Sequence, residues 1–112
     1  MNEAERKRRV GLNEALFRQV NERLDDLNEA LGWVGGRMQV VCECGDATCI
    51  ERIAMTPEDY EQLRADPTTF ALVEGHDDPT VETVVDRRNA FVVVRKHGGL
   101  PAQVAADTDP RS

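Results

Sequence analysis

The sequence has few aromatic residues, no long hydrophobic run and no excess of positive charge. Aromatic residues make up 4% of the 112 positions, so a core must be built mainly from Val, Leu, Ile and Ala. No apolar stretch approaches the length that crosses a bilayer, and the N-terminal residues lack the apolar centre of a signal peptide. We therefore expect a cytoplasmic protein with one modest core.

Positive charge is scarce on the chain as a whole. Its 14 basic and 21 acidic side chains give a formal net charge of −7, which repels phosphate backbones. The basic run RKRR at residues 6–9 is a local exception. Such a run is typical of a solvated helix start, with contact to a polyanion as the alternative. Nucleic acid is therefore the least favoured partner.

Common catalytic motifs are also missing from the sequence. It contains no G-x-S-x-G, no phosphate-binding glycine loop and no H-E-x-x-H. Adjacent acidic residues are frequent, but such pairs usually cap helices or lie on the solvated surface. We predict that the chain is not an enzyme.

All three cysteines lie in one eight-residue segment, CECGDATC, at residues 42–49. Where thiols are kept reduced, clustered cysteines favour metal or redox chemistry over structural disulfides. Cys42 and Cys44 share one face of a strand, and Gly45 allows the turn that returns Cys49 to the same centre. Three thiolates suit a tetrahedral Zn²⁺ site. The segment predicts a zinc site, with a thiol redox switch or metal-free cysteines as alternatives.

A tetrahedral zinc site needs a fourth ligand, and the sequence offers two histidines. His76 is the better candidate, because it follows a predicted strand and precedes acidic residues that could orient its second ring nitrogen. His97 stands at the start of a predicted loose tail. Glu43, Asp46 and solvent remain alternatives. The predicted ligands are Cys42, Cys44, Cys49 and His76, a closed set that favours a structural role over catalysis.

The segment CECGDATC resembles the C-x-C-x4-C zinc knuckle of the post-SET segment in histone lysine methyltransferases. In that knuckle, the three cysteines of the motif and a fourth cysteine from elsewhere in the protein bind a zinc ion. The resemblance covers Cys42, Cys44 and Cys49, and no catalytic SET sequence accompanies it, so it implies zinc binding and not methyl transfer. Residues 42–85 together with FVVVRK at 91–96 are similar to a group of small uncharacterised bacterial proteins, which brings no established activity.

The first third of the chain carries a 3,4,3,4 spacing of apolar residues, which predicts an amphipathic helix over residues 10–31. The residues of this stripe are Phe17, Val20, Leu24, Leu27 and Leu31. Gly32 ends the helix, and a glycine-containing linker follows. The stripe either packs on the sheet of its own chain or binds a second copy or another protein. Asn13, at a seam position, would set the register of a coiled coil.

The remainder of the sequence predicts short strands and one short helix. Strands are expected at residues 38–42, 50–55 and 70–73, with a closing hairpin formed by 80–86 and 91–96. Thr56 and Pro57 begin a helix, and Pro67 forbids its continuation. Residues 98–112 are rich in small residues, Pro and Asp, which predicts a disordered tail.

The predicted fold is α+β: a long N-terminal amphipathic helix plus a small, mostly antiparallel sheet with one short helix and a zinc knuckle. The helix and linker occupy residues 1–35, the zinc-knuckle domain 36–97 and the tail 98–112. We expect a small cytosolic zinc-binding protein that serves as a protein-interaction or regulatory module, through a protein partner or self-association of the helix. The alternatives are a redox-responsive regulator that loses zinc on oxidation and a nucleic-acid-binding zinc protein.

Overall fold

The computed structural model describes residues 2–30 and 37–111, without the side chains of residues 29 and 30. Its fold is α+β, as the sequence predicts. Along the chain the elements are α1 (Glu3–Ala30), β1 (Met38–Val41), β2 (Arg52–Met55), α2 (Pro57–Arg64), β3 (Thr69–Leu72), β4 (Glu82–Arg87), β5 (Val92–Lys96) and α3 (Leu100–Asp107). Leu31 and the predicted glycine linker that follows it lie outside the described residues. None of the described helices is long and apolar enough to cross a membrane.

The strands form two separate antiparallel sheets. In the first, β1 pairs with β2, and Val40 lies opposite Ile53. In the second, β5 lies between β3 and β4, so that Val94 is flanked by Phe70 and Val84. The predicted closing hairpin, β4 with β5, is confirmed, with a register shift between Val84 and Asp86. The inward side chains of both sheets share one hydrophobic core.

Helix α2 begins as its sequence predicts. The backbone N–H of Asp59 donates to the Thr56 hydroxyl at 3.1 Å, and Pro57 occupies the first turn, where its missing N–H leaves no bond unmade. Tyr60 and Leu63 are buried against the core. A local signal thus both starts the helix and aims its apolar side chains inward.

The prediction of a disordered tail at residues 98–112 is wrong over the stretch that forms α3. This helix packs against α1, and its residues Pro101, Val104 and Ala105 are buried. The approach is close, because a Cβ added to Gly11 of α1 would lie 3.0 Å from Val104 Cγ1. The missing side chain of Gly11 allows this close approach, and Pro101 lies in the first turn of α3, where a proline is well tolerated.

Helix α1 packs on the rest of the chain through its polar side. Glu14, Arg18 and Asn21 are at most 1% exposed, whereas Val20 and Leu27 of the apolar stripe are 39% and 54% exposed. The apolar stripe therefore does not make the main contact with the chain's own core. Periodicity located the two faces of the helix but did not determine which one turns inward.

The buried polar side of α1 is stabilised by partners from several elements. Lys96 of β5 donates to the Glu14 carboxylate, and Arg18 donates to the carbonyl oxygens of Pro67 and Ala105 at 2.6 and 2.7 Å. Arg18 also stacks over the Phe70 ring, 4.7 Å from its centroid. These bonds offset the cost of removing the polar groups from water.

The proposed coiled-coil register residue, Asn13, also has a partner within the chain. Its side-chain amide donates to the carbonyl oxygen of Gly45 at 3.0 Å. This bond ties Asn13 to the cysteine loop, and the register role predicted for this residue stays a prediction. The largely exposed apolar residues of α1 are Leu12, Leu16, Val20 and Leu27.

Candidate metal centre

The structure brings Cys42, Cys44, Cys49 and His76 together in one group. Their ligand atoms all lie within 4.8 Å of one another. The His76 Nδ1 atom is 3.6 Å from Cys42 Sγ and 3.7 Å from Cys49 Sγ. A tetrahedral zinc ion with bonds of about 2.3 Å to sulfur and about 2.0 Å to nitrogen separates these two atom types by about 3.5 Å. The group is thus close enough to bind a metal ion.

The cysteine segment is a loop that closes the β1–β2 hairpin. The N–H of Cys42 donates to the Glu51 carbonyl at 3.0 Å, and the N–H of Cys49 donates to the Asp46 carbonyl at 3.0 Å. The Asp46 carboxylate accepts bonds from the N–H and hydroxyl of Thr48, which lower the pKa of Asp46. Asp46 therefore stabilises the turn that returns Cys49, and does not belong to the ligand group.

His76 reaches the group from a tight turn after β3. Its N–H donates to the Val73 carbonyl at 3.0 Å, and Gly75 has φ of 89° at the third position, as a type II turn requires. The N–H of Val73 also donates to Cys42 Sγ at 3.2 Å, a bond typical of a thiolate ligand. The end of β3 thus supplies both a candidate ligand and a donor to another.

His97 lies elsewhere. It follows the end of β5, and its Nε2 atom is 2.9 Å from the hydroxyl of Thr83 in β4. It is not a member of the ligand group, which contains His76. The structure therefore separates the two histidines that the sequence offered for the fourth position.

Glu43, between two of the cysteines, points to the opposite side of the chain and is fully buried. Its carboxylate accepts bonds from Arg64 Nη2 at 2.6 Å, Asn21 Nδ2 at 2.7 Å and the Ala71 N–H at 3.0 Å. It is thus an anchor for the cysteine loop and not a ligand. Sequence reasoning missed this role, although the alternation of side chains along an extended chain separates Glu43 from Cys42 and Cys44.

Helix α1 packs directly against the cysteine loop. A Cβ added to Gly45 would lie 2.5 Å from Val10 Cγ1 of this helix. The Asn21 side chain donates to the Val41 carbonyl and accepts from the Val41 N–H, both at 2.8 Å, immediately before the first cysteine. The loop is therefore fixed by two sets of contacts, the buried hydrogen bonds of Glu43 and the packing of α1.

Burial sets the protonation chemistry of the candidate ligands. It raises the pKa of Cys42 and is also the largest cause of the raised pKa of Cys44. The neighbouring thiols raise the pKa of Cys42 further, whereas the Val73 N–H lowers it. Three thiolates at this spacing repel one another, and a cation among them removes that penalty. Metal binding at this site would release protons.

The fold and the site define a small α+β protein with a Cys3His cluster that lies close enough to bind a metal ion. Comparisons with family models, with functionally characterised proteins and with solved structures give no significant match to this chain.

Proposed function

We propose that this chain is a small zinc-binding protein in which the ion has a structural role and that acts by binding a protein partner. The observation that carries the proposal is the convergence of three thiols and one imidazole within 4.8 Å. Thiolate and imidazole donors in a tetrahedral arrangement favour zinc over the oxygen-preferring Mg²⁺ and Ca²⁺.

A bound ion would join the two sheets of the fold. The cysteines belong to the loop between β1 and β2, whereas His76 follows β3 of the other sheet. Backbone bonds already connect these regions, since the Glu43 N–H donates to the Ala71 carbonyl at 2.9 Å. Coordination would add a cross-link between segments 27 or more residues apart along the chain. Such a link contributes directly to the free energy of folding.

The chemistry of the donor set supports a structural over a catalytic ion. Four protein ligands complete a tetrahedral shell, while a catalytic zinc keeps one position for water or substrate. Three thiolates also donate much charge to the ion, which weakens it as a Lewis acid. On this basis we propose that the chain is not an enzyme.

A second candidate function, a redox-responsive zinc regulator, is favoured by one observation. Cys49 is partly exposed, while Cys42 and Cys44 are 1% exposed. A peroxide could therefore reach the Cys49 thiolate first, and a disulfide with a neighbouring cysteine would form as the peroxide is reduced to water. Zinc would leave because two of its ligands are consumed.

Elemental analysis and two matched histidine variants test the zinc proposal. Protein purified without added metal should contain about one zinc per chain. His76→Ala should weaken zinc binding at least about 100-fold in competition with a chromophoric chelator, because a direct ligand contributes more than an outer-shell partner. His97→Ala is the matched control and should leave zinc affinity unchanged. Zinc content after peroxide treatment separates the structural from the redox candidate.

Two results would contradict the proposal. One is less than about a tenth of an equivalent of zinc together with no gain in thermal stability when zinc is added. The other is an equal, small effect of the two histidine substitutions, since the fourth ligand would then have to come from elsewhere.

A further inference from the structure

An apolar face of α1 is exposed along most of the helix. Its residues are Leu12, Leu16, Val20 and Leu27, which are 45%, 57%, 39% and 54% exposed. They lie roughly opposite the buried polar residues. At about 3.6 residues per turn, residues that are two positions apart, such as Glu14 and Leu16, are separated by roughly 200° around the helix axis. An exposed row of large apolar side chains on one helix is typical of a binding surface.

The two ends of helix α1 carry opposite charge: residues 3–9 contain four basic and two acidic side chains, and residues 22–30 contain four acidic and one basic. Asp25 belongs to the buried side of the helix, and both Glu22 and Asp25 are ion-paired with Arg111 of the same chain. The exposed charges that flank the apolar face are therefore the ones available to a partner. Arg8 and Asp26 are exposed at the two ends. They are separated by about five turns of about 3.6 residues, so they lie on the same side of the apolar row. A helix with this polarity is complementary to a copy of itself running in the opposite direction.

We propose that this face binds a second copy of the chain, with the two α1 helices antiparallel. Arg8 of each copy then lies beside Asp26 of the other, whereas a parallel pair would place like charges together. The two-fold axis passes near residue 17, which brings the Leu16 side chains of both copies to the centre. The inference names the partner in the proposed function, and it rests on that interaction role and not on the identity of the ion.

The size of the face determines the expected affinity. From Arg8 to Leu27 the helix extends about 28 Å at about 1.5 Å per residue, and a width of about 10 Å gives a footprint of about 300 Å². A groove beside Leu12 and Leu16 widens the contact; it is lined on its far side by Asp107, Thr108, Asp109 and Pro110. Because a standard interface buries about 800 Å² per partner, the dimer should be weak and concentration-dependent, with micromolar dissociation.

Sedimentation equilibrium of the full chain, with zinc content measured on each sample, tests the apolar contact. The wild-type protein should shift from monomer to dimer between about 1 and about 500 µM. Leu16→Gln should leave it monomeric over this range, because it places an amide at the centre of the pair. Ile50→Gln is the matched control: Ile50 is 89% exposed outside α1, and its replacement should not change the dimer.

Charge exchange tests the antiparallel direction. Arg8→Glu and Asp26→Lys should each weaken the dimer about tenfold, because each turns two symmetric attractions into repulsions. The double variant restores opposite charges across the interface and should return to within about threefold of the wild type. Neither change opposes the helix dipole, so loss of the dimer would not come from unwinding of α1.

Three outcomes would overturn the inference. A wild-type chain that is monomeric at every concentration yet holds one zinc removes the dimer and leaves the zinc proposal standing. A dimer that Leu16→Gln does not disturb lies on another surface. A dimer that both single charge variants weaken and the double variant does not restore has another arrangement of the helices.

Discussion

Replacing Glu43 by alanine should sharply destabilise the protein, although this residue contacts no candidate metal ligand through its carboxylate. The substitution leaves the Arg64 guanidinium buried without its charge partner, since the two side chains are 2% and 0% exposed. Breaking a buried ion pair by removing one partner costs about 3–5 kcal/mol. The Ala71 N–H loses its side-chain acceptor as well, which adds about 1–3 kcal/mol. Asn21 retains its bonds to Val41.

The expected loss of at least about 4 kcal/mol is a large share of the roughly 5–15 kcal/mol that stabilises a domain. Urea denaturation at fixed free zinc measures it, and Glu43→Gln should fall between alanine and the wild type because it retains shape and one acceptor oxygen. Glu51→Ala, on an exposed residue of the same hairpin, is the control and should change stability by less than about 0.5 kcal/mol. A loss below about 1 kcal/mol for Glu43→Ala would refute the anchoring role.

Two further substitutions probe the contacts of α1. Burial and the adjacent Glu82 raise the pKa of Glu14 above its ordinary value of 4.5. A group whose pKa is raised in the folded state stabilises the protein at any pH below its unfolded-state pKa. This stabilisation is lost as the pH rises through the folded-state pKa. The stability of Glu14→Gln relative to the wild type should therefore increase as the pH is raised above 4.5, and parallel pH profiles from denaturation would contradict this. Gly45→Ala should cost about 1–3 kcal/mol through its overlap with Val10, and adding Val10→Ala should recover part of that loss in a double-mutant cycle.

Local spacing determined much of the fold and the cysteine loop. The N-cap at Thr56 and the β-branched runs of the closing hairpin act within a few residues, so the sequence predicts the elements that they form. The clustered cysteines likewise predict their own convergence, because the turn that joins Cys44 to Cys49 is short. These features need no information from distant parts of the chain.

Tertiary structure alone decided which histidine approaches the cysteines. Both histidines follow predicted strands, and only the pairing of β3 beside the cysteine loop brings His76 to Cys42 while β5 carries His97 to Thr83. The same holds for α3, whose residues Pro101, Val104 and Ala105 are buried because this helix packs against α1. Both outcomes depend on contacts between segments far apart in sequence.

The orientation of α1 is the feature that sequence periodicity could not predict. Apolar and polar residues recur with similar spacing along the helix, and Glu14, Arg18, Asn21 and Asp25 follow a 4,3,4 pattern of their own. Ordinary hydrophobic burial favours the apolar row as the inward face. The folded chain buries the polar row because Lys96, two backbone carbonyls and the Glu43 carboxylate supply its hydrogen bonds and charge partners. Those partners come from β5, from the loops next to β1 and β3, and from α3. Only the assembled structure therefore decides which face of the helix remains exposed.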